Sequence, residues 1–176
     1  YSGDLRIGPE ILKGVADSYR RLRNTMRFML GALAHTTDED RVDANDMPEL
    51  EQWVLHRLAE LDQTVRNGYA AYDFQGVFQT LFQFATVDLS AFYFDIRKDV
   101  LYCDGDTATR RAARNVLELL FERLTTWLAP VLVFTMEEIW LERRPGDDAS
   151  IHLTDIPITP SNWLNPDLAI KWTHLR

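Results

Sequence analysis

The spacing of apolar residues constrains this chain more than any other feature. Between Leu12 and Leu33 they recur in steps of three and four: Leu12, Val15, Tyr19, Leu22, Met26, Met29 or Leu30, and Leu33. That rhythm marks one face of a helix turned toward a core. Pro9 suits its first turn, where a missing N–H costs nothing, and Gly14 and Gly31 each cost about 1 kcal/mol against Ala, which a long helix absorbs. A second helix carries Leu50, Trp53, Val54, Leu58, Leu61 and Val65 and ends near Gly68. Asp73 opens a third, whose apolar side is Phe74, Val77, Phe78, Leu81, Phe82 and Ala85. Beyond Ala85 the residues Val87, Leu89, Phe92, Tyr93 and Ile96 fall out of phase. This run is apolar nearly all round, which predicts a central position. A fourth helix begins near Asp106, with Ala113, Val116, Leu117, Leu120, Leu124, Trp127 and Leu128 inward. Pro130 interrupts it, a fifth runs to about Arg143, and a short sixth spans Asn165 to Leu175. No run alternates with the period of a strand. The expectation is an all-α, antiparallel up-and-down bundle over residues 1–150, followed by a mostly irregular C-terminal extension, 151–176, with one short helix.

The links are polar. Thr36 to Asp46 reads as a solvated connection, and Asp46 with Glu49 has the spacing of a capping box at the start of the second helix. Cys103 to Asp106 reads as a turn. At 176 residues the chain can bury roughly 70% of its unfolded surface in one core. The longest uninterrupted apolar run, Trp127 to Phe134, is far shorter than the ~18 residues of a membrane helix. The opening, YSGDLRIGPE, lacks an initiator Met and a secretory leader and reads as the interior of a longer polypeptide. Cys103 is the only cysteine, which excludes intrachain disulfides and Cys-based zinc sites and points to a reducing, cytoplasmic compartment.

No catalytic signature emerges. Neither phosphate-cradling glycine loop occurs, Glu-x-x-His is missing, and nothing resembles a nucleophile elbow. His35, His56, His152 and His174 sit on separate segments without metal-ligand spacing, so the expected metal and catalytic sets are empty. Charge is more informative. The net charge is −8, which disfavours indiscriminate nucleic-acid binding, yet residues 1–35 carry +3 (Arg6, Lys13, Arg20, Arg21, Arg23 and Arg27 against Asp4, Glu10 and Asp17), leaving −11 for the remainder. Arg20, Arg23 and Arg27 share one helix edge, with Asn24 beside them and Arg21 flanking. Clustered guanidiniums repel one another unless a partner brings negative charge, and their forks fit phosphate. The alternative is a solvated face paired with the acidic body. A second candidate is DLSAFYFDIRKD (Asp88 to Asp99), an aromatic cluster ending in Arg97 and Lys98. Aromatic stacking beside cations is a single-strand binding pattern, although Phe92, Tyr93 and Phe94 fit a core equally well.

Four stretches carry a family resemblance: YRRLRNTMRFML (Tyr19 to Leu30), YDFQGVFQTLFQFATVDLSAFYFDIRKDVLYCD (Tyr72 to Asp104), WLAPVLVFTMEEIW (Trp127 to Trp140) and SIHLTDIP (Ser150 to Pro157). In this order they resemble the anticodon-binding helical domain of the class Ia aminoacyl-tRNA synthetases. The central stretch is similar to the bacterial isoleucyl branch, whereas the LAP…EEIW element is shared with valyl, leucyl and methionyl relatives. The resemblance implies a domain excised from an ATP- and Mg-dependent isoleucine–tRNA ligase. The HIGH and KMSKS signatures, the editing insertion and the zinc-bearing C-terminal module of that family are absent here, so the fragment is expected to be inactive and to need no cofactor. Its implied partners are an isoleucine-accepting tRNA and, within one polypeptide, the catalytic domain; membrane and DNA are not among them. The implied tRNA-contact candidates are Arg20, Arg21, Arg23, Asn24, Arg27, Arg97 and Lys98, with Arg66, Arg110, Arg111 and Arg114 weaker. The rival readings are the equivalent domain of a valyl or other class Ia enzyme and a helical protein–protein interaction module.

Overall fold

The structure is a computed structural model and describes residues 7–34, 36, 41–103 and 105–175. Expectations resting on Asp4, Arg6, His35, the acidic run Asp38 to Asp40 and Asp104 lie outside these residues. The described elements are seven α-helices, one π-helical segment and three short 3-10 turns, with no strand among the described residues. The helices are α1 (Pro9–Leu33), α2 (Glu49–Ala70), α3 (Phe74–Gln83), α4 (Phe94–Tyr102), α5 (Ala108–Leu128), α6 (Val133–Arg143) and α7 (Pro166–Leu175). They form an all-α bundle with a largely irregular tail.

Between α3 and α4 the ladder loosens to a π-helix over Phe84–Tyr93, and the amide of Phe94 still reaches back five residues to the carbonyl of Leu89. A π-turn holds more than four residues, so the buried positions there drift from the 3.6-residue rhythm: Phe84 and Ala85, then Asp88 and Leu89, then Tyr93 and Phe94. This is why the apolar pattern loses phase beyond Ala85. The α3–π–α4 rod is not the centre of the bundle. Gln75, Gln79 and Gln83 make a polar stripe along α3 that faces solvent. The centre is α5, which packs against α1, α2, α3, α4 and α6 and fully buries Val116, Leu117, Leu120, Phe121, Leu124, Trp127 and Leu128.

The ends of the elements follow local chemistry. The Asp73 carboxylate accepts from the amide of Gly76 (2.9 Å) and caps α3, and the Thr107 hydroxyl accepts from the amide of Arg110 (3.1 Å) and caps α5. Asp46, in contrast, does not cap α2. It lies inside a 3-10 turn, Ala44–Asp46, capped by Asp43, and α2 starts behind Pro48 with no side-chain cap. Proline has already set the extended entry geometry, and Glu49, the other half of the expected box, pairs with Lys171 at 2.6 Å. α2 continues past Gly68 to Ala70. Gly68 serves close approach: a Cβ there would collide with the side chain of Val77 on α3.

The C-terminal extension is strapped onto the bundle. Arg66 donates to the carbonyl of Pro157 (2.8 Å), and Arg123 donates to the carbonyl of Ile158 and the hydroxyl of Thr159 (3.2 Å each) while lying 4.7 Å over the Trp163 ring. Burial lowers the Arg123 pKa, its polar partners notwithstanding. The buried His56 accepts at Nδ1 from the amide of Asn165 (2.9 Å), and the Asn165 side chain in turn caps α7 through Leu168 (3.1 Å). Trp172 of α7 then sits against Trp53 and Phe92, with ring centroids 6.0 Å away in each case.

Candidate nucleic-acid interface

α1 divides into two halves. From Leu22 onward, Leu22, Thr25, Met26, Met29, Ala32 and Leu33 are buried against α5 and the π segment. Thr25 pins the register: its hydroxyl lies 2.8 Å from that of Ser90. With that face committed, helical geometry turns Arg20, Arg21, Arg23, Asn24 and Arg27 outward, and all five are exposed. N-terminal to Leu22 the apolar stripe has no cover. Leu12, Val15 and Tyr19, expected to face a core, are exposed instead, and Tyr19 meets α6 only through its phenol, at Thr135.

The arginine edge is differentiated by its neighbours. Arg20 pairs with Asp17 one turn back. Arg23 crosses to α6 and grips Glu138 with both nitrogens (2.9 and 3.0 Å), with a further bond to the Tyr19 phenol at 3.3 Å. The hydrogen bonds to Glu138 raise the Arg23 pKa further, and the same contact holds the Glu138 carboxyl below the usual carboxylate range. Arg27 lines a groove of about 810 Å³ between α1 and α6, together with Arg23, Leu30, Gly31, Glu142 and Arg143. Arg143 was not a candidate from sequence. It donates to Thr36 (2.6 Å) and Glu118 (2.9 Å), while Arg144 shares Glu118 (3.0 Å) and lies 4.4 Å over the Trp140 ring. The one sequence signal for this pair is ERR at the end of a helix, where cations offset the dipole, and that is a structural signal first.

The second candidate cluster has a different geometry. Arg97 is largely buried and forms a two-pronged pair with Glu51 of α2 (2.6 and 2.7 Å), whose side chain is wholly inaccessible. The Tyr93 hydroxyl donates to the same carboxylate at 3.1 Å. Burial, reinforced by Glu51, holds the Tyr93 phenol well above its ordinary value. Burial opposes the charge on Arg97, but hydrogen bonding to Glu51 prevails and raises its pKa. Lys98 is exposed and bonds Asp95 at 2.7 Å, which raises its pKa. Tyr93 and Phe94 are core residues, and Phe92 is half-buried against Trp53 and Trp172. The structure thus brings Arg20, Arg23, Asn24 and Arg27 onto one edge of α1 with Arg21 exposed at its flank, and leaves Arg97 and Lys98 apart from it on α4.

Among the described residues no three His, Cys, Asp or Glu side chains converge as a metal site, and no helix is long and apolar enough to cross a membrane.

The family described as the anticodon-binding domain of tRNA ligase matches residues 51–174. An isoleucine–tRNA ligase of Ruegeria pomeroyi is 72% identical over 167 residues, which is 94% of this chain and 17% of that protein. The isoleucine–tRNA ligase of Agrobacterium fabrum is 52% identical over the full chain and 18% of its own length, and that of Gluconobacter oxydans is 51% identical over 98% of the chain and 18% of its length. The chain therefore spans less than a fifth of the curated relatives it matches.

Proposed function

The chain belongs to the anticodon-binding domain family of tRNA ligases, and from that premise we propose that it is the tRNA-docking bundle of an isoleucine–tRNA ligase. The bundle grips the anticodon arm of an isoleucine-accepting tRNA and leaves the chemistry to the rest of the enzyme. That enzyme is cytoplasmic, uses ATP with Mg, and couples isoleucine to its tRNA; any zinc belongs to a further C-terminal module. The observation that carries this reading is the exposed row of guanidiniums on α1, of which Arg23 and Arg27 line the α1–α6 groove. Phosphate contacts supply affinity and orientation, and polar groups nearby read bases. Arg20, Arg21 and Arg27 make the phosphate contacts, Asn24 offers an amide to a base edge, and Arg23 acts through its Glu138 clamp to hold α6 against α1. Arg97 belongs to the fold, and Lys98 lies off the path.

The test is binding of an isoleucine-accepting tRNA transcript to this chain from about 50 to 200 mM salt, where each neutralised phosphate steepens the log–log slope by about 0.7 to 0.9. Arg20→Glu with Arg27→Glu weakens binding and flattens the slope by about 2. A slope unchanged by that pair contradicts the assignment.

A further inference from the structure

We propose that the groove between α1 and α6 is a reading pocket for an unpaired guanine, with Glu142 accepting from the base and Arg27 holding the adjoining phosphate. The two helices run side by side in the same sense and are joined rung by rung. Tyr19 meets Thr135 at 3.0 Å, Arg23 grips Glu138 at 2.9 and 3.0 Å, and past the end of α1 Thr36 accepts from Arg143 at 2.6 Å. The rung between these closures stays open. Arg27 and Glu142 each lie one helical turn past the Arg23–Glu138 pair and line the groove, yet neither has a hydrogen-bond or ion-pair partner among the described residues. Gly31, on the turn after Arg27, brings no side chain into the gap, and the lining includes the apolar Leu30, the buried Ile139 and Pro145. The resulting space of about 810 Å³ falls within the range of ligand clefts, about 300–1,000 Å³.

This lining fits a planar ring with a polar edge and a negative tail: apolar side chains for the ring, a carboxylate for donors on its edge and a guanidinium for phosphate. The carboxylate chooses among bases. When ionised it only accepts, and it accepts best from two donors side by side. Guanine alone presents two adjacent donors on its Watson–Crick edge, the ring N1–H and the N2 amino group. Adenine and cytosine offer one amino group beside a ring nitrogen whose lone pair repels the carboxylate, and uracil offers one N–H between two carbonyls. Glu142 also repels phosphate, so its place in the same groove as Arg27 serves base choice and not grip. The inference rests on the tRNA reading for the source of the guanine.

The first measurement is binding of the isoleucine-accepting tRNA transcript to this chain at fixed salt, with each anticodon-loop guanine replaced in turn by adenine or inosine. At one position adenine weakens binding on the order of 10-fold, and inosine, which keeps N1–H but lacks the N2 amino group, falls between. Glu142→Gln, whose amide offers one donor and one acceptor and so matches adenine, abolishes that preference. Loss of the negative charge by itself strengthens all transcripts alike. A guanine-to-adenine ratio unchanged by Glu142→Gln therefore overturns the proposal, as does the absence of any such position. The second measurement needs no tRNA. Guanosine monophosphate shifts the amide resonances of Ala34 and Ile139 in the nuclear magnetic resonance spectrum of the chain, whereas adenosine monophosphate, or guanosine monophosphate added to Glu142→Gln, shifts them far less. Equal shifts from both nucleotides, or none from guanosine monophosphate, overturn the proposal even where tRNA binding stands. The tRNA reading fails separately, through an unchanged salt slope on charge reversal at Arg20 and Arg27, and the nucleotide comparison then decides the pocket.

Discussion

Replacing Arg97 by Ala tests whether the second basic cluster serves the fold or a ligand. Glu51 lies in the first turn of α2 with a fully buried side chain, held by two guanidinium bonds of 2.6 and 2.7 Å and by the Tyr93 hydroxyl at 3.1 Å. Removing Arg97 leaves a carboxylate inside the protein with one neutral donor. Breaking a buried pair in this one-sided way costs about 3–5 kcal/mol, out of a total stability on the order of 5–15 kcal/mol. With a urea m-value of roughly 2–3 kcal/mol/M, the midpoint falls by about 1–2 M. Urea titration followed by circular dichroism at neutral pH reads the shift directly. The double variant Glu51→Gln, Arg97→Met recovers most of the loss, because neither buried group is then charged. Under conditions where Arg97→Ala remains folded, its tRNA salt slope matches that of the parent chain. A midpoint change equivalent to less than about 1 kcal/mol, with a flattened slope, refutes the reasoning and returns Arg97 to the nucleic-acid interface.

Three further outcomes are expected. Trp127→Ala removes a ring with no accessible surface from the last turn of α5, and denaturant titration registers a loss of about 3–5 kcal/mol. Asp73→Ala costs about 1 kcal/mol through loss of the α3 cap, whereas Asp46→Ala stays within about 0.5 kcal/mol by the same measurement, and the reverse ranking disproves the cap assignment. Burial pushes the Tyr69 phenol, which donates to the carbonyl of Trp127, up to about 12 from 10.0. The folded state thus holds its proton more tightly than the unfolded chain, so the stabilisation is complete below pH 10 and is lost as pH rises toward 12. Tyr69→Phe makes the alkaline limb of the stability–pH curve shallower, and ultraviolet phenolate titration locates the shifted group.

The legible parts of the molecule are those that depend on neighbours in sequence. Three- and four-residue spacing locates α1, α2, α3 and α5, the breaks at Pro130 and Asn165-Pro166 mark α6 and α7, and caps such as Asp73 are legible because donor and acceptor lie within one turn. The π segment escapes that reading, since its period differs and nothing local announces the change. Glu51 escapes it for another reason: a charged residue near a helix start looks like a dipole partner, and only the pairing of α2 with α4, 46 positions along the chain, makes it a buried brace. The arginine edge was legible as an edge, because helix geometry alone sets which side chains share it. Its division into exposed cations and an α6 clamp was not, because Glu138 is 115 residues from Arg23.

The uncovered stripe on α1 carries the strongest constraint on how this bundle works. One helix of 25 residues holds two surfaces in series: exposed apolar residues before Tyr19 and exposed cations after it, with Tyr19 and Arg23 both anchored to α6 at the boundary. A rigid helix transmits orientation without needing to move. If the first half is fixed to a catalytic body, the guanidiniums of the second half stand at a set distance from it, roughly 1.5 Å per residue along the axis. From Val15 to Arg27 that is about 18 Å. On the proposed reading, an anticodon arm seated on this edge is thereby held in register with chemistry performed elsewhere. On that reading the Arg23–Glu138 clamp serves this register more than affinity. Glu138→Gln should therefore leave the salt slope of tRNA binding nearly unchanged in the isolated chain, while lowering aminoacylation by the assembled ligase. A slope lowered as far as by Arg27→Glu would instead make Arg23 a direct phosphate ligand.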